Sequence, residues 1–415
     1  MNQPSDICNR LYALARERNG QDVMLDINGV PMLVLQRHES ADHVLRTHAA
    51  HYRKDMAWFR QALGASRFCE EGEAWRIRRR ITHEHFTHFD REHTCALAGQ
   101  HGAHAVQRLL ADSAKGAQTI DDHVLRTMTV SILVENFLGI PFQDTGIDLA
   151  LISELMEYGS AYSFVPPGRT EAYYAQGLRR LPGLRREILQ QMRVLRDGSL
   201  PTSPMLADML RADVDPANDI VLEHELVTFL AAGAESSAST AGWACYLLAR
   251  YPEVQERLRD QVMQLNPADG WNALTQCTPL EDFISEALRL FPPSPIISRQ
   301  ATQADRIGIH HVDSGQNLLI SFIGIGHDAH MRDDPWTLAG TPVVRGPTAG
   351  NRMAFSIGPR ICGGKLFALV ELMGALAAFL RHARFELTCD SPPRFHWKAQ
   401  LLREGGHPVR VTPLH

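Results

Sequence analysis

The sequence lacks any uninterrupted apolar run near 20 residues, so it offers no candidate membrane-spanning helix. Met1 to Arg18 is polar, carries charges of both signs and lacks a signal-peptide apolar core. These absences lead us to expect a cytoplasmic protein with no membrane anchor. There is no CxxC pair among the seven scattered cysteines, and their number is odd. That excludes a disulfide scaffold and fits a reducing compartment. Positive charge is not in excess: 42 Lys and Arg face 47 Asp and Glu, and the formal net charge is −5. General nucleic-acid binding is thereby excluded. There is also no Ser/Gly tract, low-complexity run or internal repeat. A chain of 415 residues would ordinarily suggest two or three domains of ~100–200 residues. With no linker to cut at, residues 1–415 read as one domain. At 44% hydrophobic residues it can bury a sizeable core.

What is present is concentrated near the C-terminus. Phe355-Ser356-Ile357-Gly358-Pro359-Arg360-Ile361-Cys362-Gly363-Gly364 sets one cysteine among glycines, a proline and an arginine. An apolar helical run from Lys365 to about Leu380 follows. A cysteine just before a helix feels the positive end of its dipole, and loop N–H groups can point at its sulfur; both favour thiolate. Glycines let the backbone fold tightly and approach a flat ligand. Arg360 offers a fork of donors for a carboxylate. The bland reading is a buried cysteine in a Gly-rich turn.

The stretch resembles, at every defined position, the haem-ligand signature F-x-x-G-x-R-x-C-x-G of the cytochrome P450 family. Ala368 and Glu371 also fall where the family's following helix has them. The resemblance implies a mainly α fold with small β-sheets (α+β), a single prism-shaped domain. Haem b would lie between a long central helix and the cysteine loop. Cys362 becomes the axial ligand of the haem iron, with Phe355, Gly358, Arg360, Gly364 and Ala368 around the cofactor.

Val221 to Arg250 is a long apolar helical run interrupted by Ala231-Ala232-Gly233-Ala234-Glu235-Ser236-Ser237. An acid and hydroxyls inside a buried helix cost stability unless satisfied. Such hydroxyls bond back to the carbonyl four residues earlier and bend the helix. Small residues for helix packing are the alternative. The stretch resembles the family's oxygen groove, [AG]-G-x-[DE]-[ST]. By that match Ala232 and Gly233 lie over the haem, while Ala232 and Ser237 also touch substrate. Glu235 is the acid, and Ser236 the alcohol, that relay protons to dioxygen at the haem. Serine keeps the hydroxyl of the commoner threonine but loses its methyl and χ1 restraint.

Glu73 to Phe86 reads as a helix in which Trp75 and Arg79 share a face. The resemblance sets both against a haem propionate. Arg76, Arg78 and Arg80 are either a solvated face or a basic patch. The patch would steer an acidic ferredoxin- or flavodoxin-type donor, fed from NAD(P)H by a reductase, onto the Cys362 side. His83, His85, His88 and His93 follow at spacings that fit no strong metal template.

Further on, Glu286 and Arg289 share a helix face and can pair. The family buries this pair and ties it to a second arginine in a later loop, for which Arg345 is the candidate. The Pro-rich stretch from Phe291 reads as an extended loop. By resemblance it supplies Pro295, Ile296 and Ile297 to the substrate pocket and Arg299 to a propionate, with Arg352 at another propionate position. Elsewhere we expect a hairpin over 22–37 at Asn28-Gly29 and a short helix from Ser40, with Ser40 as its cap. Helical patterns cover 97–139 and 145–163. A second hairpin should turn at Ser314-Gly315. An amphipathic stretch from Arg169 to Leu195, broken at Pro182-Gly183, corresponds to the family's lid, with Tyr158, Tyr162, Phe164, Tyr173 and Tyr174 near its entrance.

Side chains alone do not cleave dioxygen; a cofactor carries that chemistry. The resemblance therefore implies a monomeric haem-thiolate monooxygenase. Electrons from an external redox partner would drive insertion of oxygen into an apolar small molecule such as a terpenoid, lipid or other specialised metabolite. A peroxide-using or rearranging haem-thiolate enzyme is the alternative, and a haem-thiolate sensor comes third.

Overall fold

The computed structural model describes residues 7–27, 29–54, 56–162, 170–196, 203–338 and 350–414. Its helices are α1 (Ile7–Arg18), α2 (His38–Asp42), α3 (Ala57–Leu63), α4 (Gly72–Thr87), α5 (Arg91–Ala114), α6 (Asp122–Leu138), α7 (Leu149–Tyr162) and α8 (Thr170–Met192). They continue as α9 (Pro204–Val214), α10 (Leu222–Arg250), α11 (Pro252–Gln264), α12 (Gly270–Leu274), α13 (Thr278–Leu290), α14 (Phe322–Gly326) and α15 (Lys365–His382). The strands are β1 (Val23–Ile27), β2 (Val30–Leu35), β3 (Tyr52–Arg53), β4 (Ile296–Ala301), β5 (Asp305–Ile307) and β6 (His310–Val312). After them come β7 (Asn317–Ser321), β8 (Ala383–Leu387), β9 (Phe395–Lys398), β10 (Gln400–Arg403) and β11 (Val409–Pro413). The expected mainly helical fold with small sheets is what is found. No described helix is long and apolar enough to cross a membrane.

Two helices organise the core. In α10 the apolar stripe wraps almost all the way round, which marks a helix buried on every side. In α15 every residue from Val370 to Leu380 is buried. Packed against them are α5, α6 and α13. Trp243 of α10 shows the density reached: it is fully buried, stacks on Phe291 at 4.0 Å, and donates its Nε1–H to the Leu401 carbonyl at 2.8 Å. The indole thus contributes its apolar area without stranding its one polar atom.

One five-stranded sheet has the order β1-β2-β7-β4-β3. Its β1–β2 hairpin closes between Ile27 and Val30, as the Asn28-Gly29 signal predicts, with Asn28 itself outside the described residues. Other local expectations fail for identifiable reasons. The helix after Arg37 starts at His38, so Ser40 lies inside it, where its hydroxyl is held by Asp22 rather than capping a helix. The second hairpin turns at Gly308-Ile309, between β5 and β6, because Gly308 supplies a positive φ of 57° there. The segment around Gly315 leads into β7, which pairs with β4 instead. Residues 97–139 are two helices, separated after Ala114. Pro182 is accommodated inside a continuous α8. Phe164 lies outside the described residues, as do the side chains of Tyr162, Tyr173 and Tyr174.

Candidate active site and cofactor cleft

The cysteine loop is shaped by a few backbone bonds. Gly350–Phe355 forms a 3-10 turn, after which Ser356 takes a left-handed φ of 59° and donates its N–H to the Met353 carbonyl at 2.7 Å. Gly358 follows at φ +75°, and a Cβ there would come within 1.9 Å of the Leu45 carbonyl oxygen. Only glycine meets both demands. The Cys362 N–H returns to the Phe355 carbonyl at 2.9 Å and closes the loop. By contrast, a Cβ at Gly364 would meet no atom within 4 Å. In α15 the Ala368 N–H bonds to the Gly364 carbonyl at 2.9 Å.

Cys362 is solvent-accessible yet surrounded by protein, which places it at the wall of a recess rather than on a convex surface. Burial pushes its thiol up, only partly offset by a backbone bond at Gly364 and by the cations of Arg67 and Lys365. Burial is thus the larger influence on the free thiol, against the loop bond and the cations that favour thiolate as expected from sequence. A bound metal reverses that order, since a coordinating thiol gives up its proton outright.

Cations gather nearby. Arg360 lies 4.1 Å from the centre of the Trp75 ring, and Arg79 lies 5.5 Å from the same ring. Arg360 donates to the Glu70 carbonyl at 2.8 Å. Arg299, on β4, is only 6% exposed; it donates to the Ser298 carbonyl at 2.7 Å and forms no ion pair among the described residues. Burial and the neighbouring Arg360 lower its pKa to about 10. Lys54 joins the group: burial, then Arg299 and Arg360, bring its ammonium down to about 7. Glu71 is the carboxylate among them, 3.7 Å from Arg360 and accepting the backbone N–H of Lys54 at 2.7 Å, while the Lys54 ammonium donates to the Phe68 carbonyl at 2.7 Å. Arg352 belongs to the turn before Phe355, but its side chain lies outside the described residues.

The α10 residues divide between two faces. Ala232 is exposed and Ser236 half-buried, one helical turn apart, and the Ser236 hydroxyl donates to the Ala232 carbonyl at 2.7 Å. Gly233 does not face open space: a Cβ there would strike Leu133 of α6 at 2.6 Å, so its smallness serves helix packing. Glu235 is buried and turned away from Ser236. Its Oε1 accepts the Ser153 hydroxyl of α7 at 2.6 Å, and its Oε2 lies 3.2 Å from Nε of Arg126 on α6. Ser237 does not line a pocket. It is buried and donates to Oε2 of Glu371 on α15 at 2.5 Å. Burial raises the Glu371 carboxyl to about 8, with the Ser237 bond a smaller opposing influence.

Pro295 is buried, and its carbonyl accepts the Phe322 N–H at 2.9 Å. Ile296 and Ile297 are in the sheet, not in an extended loop. Strand alternation sends them to opposite faces: Ile296 joins the main core, while Ile297 packs with the cluster containing Leu45 and Met353. They do not form one wall.

Comparison with known proteins agrees with this geometry. The family model for cytochrome P450 matches residues 2–408. The chain belongs to the cytochrome P450 family. It is similar to Cytochrome P450 4F12 of Homo sapiens, 36% identical over 210 residues, covering 48% of this chain and 40% of that protein. Cytochrome P450 4F6 of Rattus norvegicus is 36% identical over 210 residues, 48% of this chain and 38% of that protein. Leukotriene-B4 omega-hydroxylase 3 of Mus musculus is 35% identical over 207 residues, 48% of this chain and 39% of that protein. The chain thus spans about two fifths of the length of the curated relatives it matches.

Haem b is the P450 cofactor, and the residues present fit it. Arg299 and Arg360 are cations, Lys54 beside them titrates at about 7, and Glu71 is the carboxylate near all of them. Two propionates would satisfy that excess, and an exposed thiol in a protein-walled recess suits an iron ligand.

The P450 anchor pair is also present. Arg289 Nε and Nη2 grip Glu286 at 3.0 and 2.8 Å, and both residues are buried. The remaining Arg289 donors reach the carbonyls of Gly326 (2.8 Å), Pro335 (2.6 Å) and Thr337 (2.9 Å). Arg345 lies outside the described residues. Among the described residues Arg332 joins Arg289 on Glu286, at 2.9 Å, and no local pattern marks it in the sequence. Sequence reasoning also missed Lys54 and Arg67, since each reaches the recess from a loop with no motif of its own.

The α4 basic run splits as well. Arg78 is fully buried, its Nε 3.1 Å from Glu225 of α10, so it ties two helices and cannot meet a partner. Arg76 and Arg80 are exposed, with Glu73 at 2.9 and 3.8 Å. Together with Arg79, His83 and Glu84 they line a surface hollow of about 790 Å³. His85 bonds to Asp208 at 2.8 Å.

Proposed function

We propose that the protein is a haem-thiolate monooxygenase that takes electrons from a separate NAD(P)H-fed donor and hydroxylates an apolar chain. The observation that carries this reading is Cys362, open to a protein-walled recess beside buried cations that lack matching carboxylates. Haem, when bound, would supply dioxygen activation, chemistry that a thiolate ligand favours.

The residues of the chain do the rest. Cys362 would ligate the iron, and the loop closed by its N–H bond to Phe355 positions the sulfur for it. Arg299, Arg360, Arg79 and Lys54 would meet the two propionates, with Trp75 stacked on the Arg360 guanidinium. Ala232 and Ser236 share a helix face, so the methyl bounds the substrate space and the hydroxyl can pass a proton beside it. Glu235 supplies that proton after its carboxyl turns from Ser153 and Arg126 toward Ser236. The donor, a ferredoxin or flavodoxin type, docks at the α4 face; Glu73 and Glu84 moderate its positive charge and leave weak, salt-sensitive steering. We place the protein in the cytoplasm as a monomer.

Among apolar substrates, a fatty-acyl chain is favoured, because one relative is named a leukotriene-B4 omega-hydroxylase. The test is reductase-driven turnover of long-chain fatty acids under ¹⁸O₂. One labelled oxygen atom per product molecule is expected. Product without label, or formed only with added peroxide, would overturn the reading.

A further inference from the structure

Arg185 of α8 is a half-buried cation that no carboxylate meets among the described residues. Its Nη1 donates to the Gln61 carbonyl of α3 at 3.1 Å, its Nη2 donates to Nε2 of His224 on α10 at 3.1 Å, and its Nε is buried without a hydrogen-bond partner. Burial lowers its pKa. Other arginines nearby are paired: Arg180 of the same helix has Glu154 at 3.3 Å, and Arg196, shortly after α8, has Asp213 at 3.0 Å and Glu223 at 2.7 Å. The acids in the first turn of α10 are committed elsewhere, Glu223 to Arg196 and Glu225 to Arg78 at 3.1 Å. His224 does not make up the deficit. Burial, then Arg185, bring its pKa down to about 4, so at neutral pH it is an uncharged acceptor. A cation placed out of water with neutral acceptors alone is costly, and an anion would relieve it.

A second unmet polar group stands one turn further along α10. Thr228 is only 9% exposed, and its Oγ1 has no hydrogen-bond partner among the described residues. Buried polar atoms without partners are rare in folded proteins. His224, Thr228, Ala232 and Ser236 follow at intervals of four, and residues so spaced form one ridge of a helix. The ridge begins beside Arg185 and ends at the exposed Ala232 and the Ser236 hydroxyl, where oxidation is proposed. His224 and Ser236 are twelve residues apart, about 18 Å of helix axis. An extended chain advances about 1.2 Å per bond, so about 15 bonds cover that span, as in a sixteen-carbon acid.

We infer that Arg185 anchors the carboxylate of a long-chain fatty acid whose chain follows the α10 ridge to Ala232 and Ser236. The inference rests on the proposed oxidation of a fatty-acyl chain. The free Nε and the adjacent Nη2 are the fork that fits a carboxylate with two parallel bonds. The carboxylate displaces the neutral His224 nitrogen from Nη2, and the Nη1 bond to Gln61 stays. His224 keeps its place, because Gly64 packs so closely on the ring that a Cβ there would fall 2.3 Å from it; the arginine is therefore the group that changes partner. Thr228 offers its hydroxyl one turn nearer the reacting end. An uncharged headgroup gains nothing from this exchange, so the site selects acids over alcohols of equal length. With the anchor fixed, the oxidised carbon is counted from the carboxylate and not from the methyl end.

The test measures equilibrium binding of radiolabelled palmitate and hexadecan-1-ol, delivered from cyclodextrin, to the haem-loaded protein. Arg185→Met should weaken palmitate about tenfold or more and leave the alcohol within about twofold. Thr228→Val removes only a hydroxyl and should weaken palmitate about threefold with the same selectivity, which keeps the test available if loss of Arg185 loosens α8. No loss, or equal losses for acid and alcohol, would overturn the anchor and leave a junction that holds only water. Product analysis under ¹⁸O₂ tests the span. Palmitate should be oxidised at or beside its methyl end, and stearate at the same carbon counted from the carboxyl group. Oxidation at the methyl end of both would overturn the fixed anchor. If Arg185→Met loses palmitate selectively but no acid gives labelled product, the monooxygenase reading falls and the binding site stands.

Discussion

Arg289 and Arg299 are both buried, and they differ in what meets their donors. Arg289 has Glu286 on two nitrogens and three backbone carbonyls on the rest. Arg299 has one carbonyl, a second arginine close by, and no ion pair among the described residues. Burying a charge is costly unless it is paired and hydrogen-bonded. The first arginine meets that condition inside the protein, and the second does not. A saturated buried cation marks a structural joint, whereas an unsaturated one marks the place where an anionic group belongs. The same contrast separates two neighbouring serines of α10. Ser237 donates to Glu371, while among the described residues Ser236 donates within its own helix, to the carbonyl of exposed Ala232.

Breaking the saturated side should have the largest effect. Arg289→Leu strands Glu286 with Arg332 as its remaining described cation, and should cost about 3–5 kcal/mol of stability. Urea unfolding of the haem-free protein measures this; a loss under about 1 kcal/mol would show that the joint is not a unit.

A smaller effect is expected at Glu371. Its folded carboxyl titrates at about 8, above the ordinary glutamate value of 4.5. The folded state thus binds a proton that the unfolded chain releases at lower pH. Stability is greatest below about pH 4.5 as far as this group decides it, falls as pH rises, and levels above about pH 8. The fall should amount to roughly 2–4 kcal/mol, and Glu371→Gln should flatten it. Unfolding midpoints at pH 5, 6.5 and 8 in constant salt supply the slopes; parallel slopes for the two proteins would sink the assignment.

Arg299→Leu sharpens the comparison from the other side. It should weaken haem binding about tenfold or more, since a hydrogen bond to a charged group is worth about 1.5–3 kcal/mol. Haem-free stability should hold or rise, because a buried unpaired charge is removed. Haem transfer to apomyoglobin reports the first quantity and thermal unfolding the second. Lower apoprotein stability with unchanged haem retention would make Arg299 a second joint.

Much of this was legible in the sequence, and the limit is informative. The cysteine loop, Trp75 with Arg79, and Glu286 with Arg289 are short-range patterns whose spacing is set by one turn or one helix. What stayed hidden depends on partners distant in the chain. Arg332 reaches Glu286 from beyond the sheet, and Lys54 adds its charge to that of Arg299 and Arg360 from the segment before α3. Which way Glu235 and Ser237 point depends on α6, α7 and α15, none of which the acid–alcohol motif contains. Gly233 looks like room for a ligand in sequence and is taken by Leu133 in the fold.

The most direct test of the account is the absorption spectrum of the reduced, carbon-monoxide-bound protein, recorded beside Cys362→Ser. A strongly red-shifted Soret band in the wild type and its absence in the variant is the predicted result. A band typical of nitrogen-ligated haem in the wild type, or no haem in well-folded protein, would contradict the assignment of Cys362 and the reading built on it.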